Sequence, residues 1–152
     1  MDTKFPKLDK KFINWSTFFH AGTEWLEIFE ILDKETNKQY GFISFYAYPY
    51  ILYFSLELFV KSLAKYEDCT FDAKKDGFLH SVTDIFVKYK DIPFFFEIIQ
   101  NHKLFNLIKE YEKTLNTRFG ETAVQINGLD TKLVLETVYK LRGEICKKTG
   151  LR

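Results

Sequence analysis

Apolar and polar positions alternate along most of this chain at a helical step. Between Thr17 and Asp33, Phe18, Gly22, Trp25, Phe29 and Leu32 recur every three or four residues, which predicts a first helix with those side chains on its inner face. Glu24, Glu27 and Glu30 fall towards the other side. Residues 1–14 read as an irregular lead-in, and the polar run Asp33–Lys38 as a turn. From Phe42 to Val60 the pattern changes, because nearly every residue is apolar or aromatic. A helix apolar on all sides belongs either in the centre of a core or in a bilayer. Pro49 lacks a backbone donor, so this second helix either kinks there or begins near it.

The rest of the chain returns to one-sided patterns. Cys69–Gly77 is polar and turn-like. Phe78, Leu79, Val82, Ile85, Phe86 and Tyr89 predict a third helix over about 78–90, broken at Asp91-Ile92-Pro93. Phe94–Ile99 has the composition of a strand, but it lies among helices with no strand partner in view, which favours a short helix. Leu104, Leu107, Ile108, Tyr111 and Leu115 line a helix over His102–Asn116. Thr117–Leu129, with Gly120 and Gly128, reads as a loop. Asp130 or Thr131 then caps a last helix to about Thr149, with Val134, Leu135, Val138, Leu141 and Ile145 inward and Gly150 beyond its end. The expected fold is all-α: an up-and-down bundle of five to six helices in one domain over 1–152, with its core in about 17–148.

Composition narrows the function classes. Glycine (7) and proline (3) are too scarce to form a linker between two domains. Seventeen Phe and nine Tyr imply a core filled by large, rigid rings. Net charge is +1 with both signs interspersed, so no general basic surface for a phosphate backbone is expected. Residues 42–60 are long enough to span a bilayer. Glu57 within the apolar run, Pro49, and the neighbouring amphipathic helices that need a central partner argue instead for a soluble, cytoplasmic protein without a membrane role. The alternative is a protein anchored through residues 42–60. The N-terminus lacks the apolar stretch of a signal peptide. Cys69 and Cys146 stand far apart and read as reduced thiols. The three histidines show no metal-binding pairing, and no cofactor or metal is expected.

Four residues stand out as candidate ligand-binding groups. Glu57 and Lys61 are four apart in the order that favours an ion pair, at the end of the apolar run. Such a pair either orients its helix or forms the polar corner of a ligand groove. His80 has Asp76 and Asp84 four residues to either side, which could orient its ring, although a surface histidine beside a cap is the plainer reading. Arg118 opens the glycine-bearing loop, where its planar fork suits a phosphate or, more plainly, the carbonyls at a helix end. No phosphate-cradling glycine loop and no nucleophile-elbow motif is present.

Three of these segments together resemble the HEPN-domain superfamily. Ser55–Leu63 is similar to its apolar run ending in Leu-Glu-Leu-x-x-Lys-x-Leu, and Asp76–Val82 to its next element. In that second element Phe78 stands where the family usually has a histidine. Arg118-Phe119 resembles the Arg-Tyr pair between its last two helices. The resemblance covers about Thr17–Lys148 and implies a homodimeric helical bundle. It also implies a nucleotide, RNA or cognate nucleotidyltransferase-like protein as partner, in a toxin–antitoxin or defence setting. Many members cleave RNA with an Arg followed four to six residues later by a His. Here Phe119–Gln125 contains no His, Arg142 has none after it, and none lies beyond His102. Losing the proton-transfer group costs about a hundredfold or more in rate. The expectation is therefore a non-catalytic binding module; the alternative is a diverged RNA endonuclease using His80, Glu57 or Lys61.

Overall fold

Asn14 starts the first helix by capping it. Its side-chain oxygen accepts the N–H groups of Ser16 at 2.9 Å and Thr17 at 3.3 Å. In the computed structural model, which describes residues 14–39, 48–72, 74–75, 81–116 and 128–151, helix α1 then runs Trp15–Gln39. It continues through Asp33–Lys38, where the polar run predicts a turn. None of those six residues is Gly or Pro, so nothing local breaks the helix. Of its expected inner face, Gly22 and Phe29 are buried, while Phe19 and Leu26 take the places expected of Phe18 and Trp25. Trp25 is 37 % exposed. Each exchange is between adjacent apolar residues, and the pattern alone could not choose between them.

Helix α2 spans Tyr48–Glu67. Pro49 sits in its first turn, where backbone N–H groups have no partner within the helix anyway. Residues 42–47 lie outside the described residues. As expected of a helix apolar on all sides, α2 is central: α1 packs along it, and it also touches the three helices α3, α5 and α6 defined below. Leu52, Tyr53, Leu56, Phe59, Val60 and Leu63 are fully buried. The α1–α2 pair is antiparallel and in heptad register. Ser55 donates its hydroxyl to the Gly22 carbonyl at 2.8 Å, and Ser62 to the Trp15 carbonyl at 2.7 Å. The two bonds lie seven residues apart on each helix, the repeat of a coiled-coil seam.

Helix α3 is short, Val82–Lys88, and Ser81 caps it by accepting the Asp84 N–H. The predicted start at 78 falls outside the described residues. Helix α4, Pro93–Gln100, has proline at its first position, and the Phe94–Ile99 run is helical. Asn101 closes α4 and opens α5, His102–Asn116, by accepting the Leu104 N–H. Helix α6 runs Gly128–Thr149. It begins earlier than predicted, so Asp130 and Thr131 lie within it and do not cap it. Its end is as expected, with Gly150 at φ 73° just beyond. The described residues thus form six α-helices and no strand, an all-α bundle. None of these helices is long and apolar enough to cross a membrane.

Candidate functional site

Among the described residues, six of the eight buried polar side chains lie on α2 or are linked to it through Glu112. Four-residue steps along that helix align Tyr53, Glu57 and Lys61 in one row, with exposures of 0, 5 and 9 %. Lys61 Nζ lies 2.6 Å from Glu57 Oε1. The two predicted candidates on α2 are therefore brought together as a buried ion pair, each charge answered by the other. Leaving either charge alone at such a depth would cost several kcal/mol, on the order of 3–5.

The next polar group comes from α5. Glu112 is buried, and three donors converge on its carboxylate. Thr83 donates its backbone N–H to Oε1 at 2.7 Å and its hydroxyl to Oε2 at 2.6 Å. Tyr53 donates its hydroxyl to Oε1 at 3.2 Å. One carboxylate thereby joins α2, the first turn of α3 and α5. Burial holds the Glu112 carboxyl above the usual carboxylate range, although the bonds from Thr83 and Tyr53 pull the other way. Burial, then the charges of Glu112 and Glu57, push the Tyr53 phenol far up, so it stays a donor. Its ring stacks on Tyr111 at 6.0 Å, and Tyr50 meets Tyr111 edge-on at 6.4 Å.

Glu112, Tyr53 and Thr83 are absent from the sequence-derived candidates. A signal for Glu112 does exist: it falls four residues after Ile108, on the inward stripe of α5, where an apolar residue is the default. Thr83 and Tyr53 carry no such mark, since either type sits readily in a helical core. His80 and Arg118 lie outside the described residues, as does Asp76. Asp84 is exposed at the start of α3, where it accepts the Ser81 hydroxyl at 2.7 Å.

A second polar knot ties α2 to the end of α3. Asp68 accepts the Thr70 hydroxyl at 2.6 Å and the Tyr89 hydroxyl at 2.8 Å, and bonds from Thr70 and Tyr89 hold its carboxyl below the usual range. Among the described residues no group of three His, Cys, Asp or Glu side chains could hold a metal. Cys69 is exposed, Cys146 is partly buried, and both are free thiols. Compared with protein-family models, with curated proteins and with solved structures, the chain matches none of them.

Proposed function

We propose that this protein is a non-catalytic, HEPN-like helical module that acts by binding, as a homodimer, in a toxin–antitoxin or defence setting. The observation that carries this reading is the fate of the polar residues in Ser55–Leu63, the string most similar to the HEPN signature. All four are buried and bonded within the bundle: Ser55 to α1, Ser62 to α1, and Glu57 to Lys61. The string is spent on holding the bundle together, so the working surface lies elsewhere. Arg118 is the group assigned to a phosphate of a nucleotide or RNA, by the geometry of its guanidinium. No histidine follows it to transfer a proton, which separates binding from cleavage.

The test titrates purified wild-type protein and Arg118→Ala with labelled single-stranded RNA and with ATP. Binding that weakens at least about tenfold in the variant supports the assignment, because a charge-assisted bidentate contact is worth roughly 1.5–3 kcal/mol. Unchanged affinity removes Arg118 from the site. Cleavage of the RNA by the wild-type protein sinks the non-catalytic reading. Light scattering across a concentration series tests the dimer.

A further inference from the structure

We draw no further inference here: the strongest candidate, the surface patch around Trp25 and Ile28 on the outer side of α1, is apolar and only partly exposed, and nothing in the structure shows what covers it.

Discussion

Gly22 shows how a single atom sets the spacing of two helices. A Cβ built there would lie 3.1–3.3 Å from the ring of Phe59, closer than such contacts normally come. Phe59 is fully buried and meets Phe19 edge-on at 5.5 Å, so its ring has little room to retreat. Alanine would gain up to about 1 kcal/mol of helix propensity. Overpacking a close contact of this kind costs about 1–3 kcal/mol. We expect Gly22→Ala to be a net destabilisation of roughly 1 kcal/mol, read as a lower urea midpoint. An equal or higher midpoint would show that α1 and α2 can part without loss. The glycine was legible in the sequence as part of an inward stripe; the close approach it permits was not.

Short helices depend on their ends more than long ones do. Helix α3 has seven residues, too few to be stable on intrinsic preference. Ser81 accepts the Asp84 N–H, and its own hydroxyl donates to the Asp84 carboxylate, which orients the capping oxygen. Ser81→Ala should therefore cost about 1 kcal/mol of stability. Amide exchange should quicken first at Asp84, whose N–H the cap holds, and unchanged exchange there would show the cap to be idle. The same scale accounts for the inner face of α1. Phe18 and Phe19, and Trp25 and Leu26, are adjacent apolar pairs, so periodicity identifies a helix and not which member of each pair turns inward. In Phe94–Ile99, by contrast, composition suggested a strand while Pro93 and the helical surroundings favoured a helix, and the structure has a helix.

At the scale of the bundle, Glu112 ties three of the described helices at once, joining α3 to α2 and α5. Glu112→Ala strips the acceptor from three buried donors and should cost about 2–4 kcal/mol. Glu112→Gln keeps a carbonyl acceptor without the charge and should cost less. Their pH dependence follows from the direction of the shift. The folded carboxyl binds its proton more tightly than the unfolded one, because burial disfavours the charge. The folded state therefore holds more protons between the two pKa values, and stability falls as pH rises through that window. Below it both states are protonated and the effect vanishes. Urea midpoints from about pH 4 to about pH 7 should show the wild type losing ground to Glu112→Gln as pH rises. A constant difference would mean that Glu112 titrates alike in both states.

Periodicity and composition are enough to establish that the chain folds as helices around one apolar central helix. That information is local: step size, caps, and prolines at helix starts are properties of neighbouring residues. It also marked Glu57 and Lys61 as a pair, since a four-residue spacing on a helix is a contact. Packing of the helices settles that this pair is buried, that Glu112 meets Thr83 and Tyr53 across three helices, and that Phe19 and Leu26 rather than Phe18 and Trp25 turn inward on α1. Those facts depend on residues 29 to 59 positions apart, or on a choice between adjacent apolar residues, and no local pattern encodes them. Burial of Phe19, Leu26 and Phe29 is what leaves Trp25 and Ile28 partly exposed on the neighbouring side of α1.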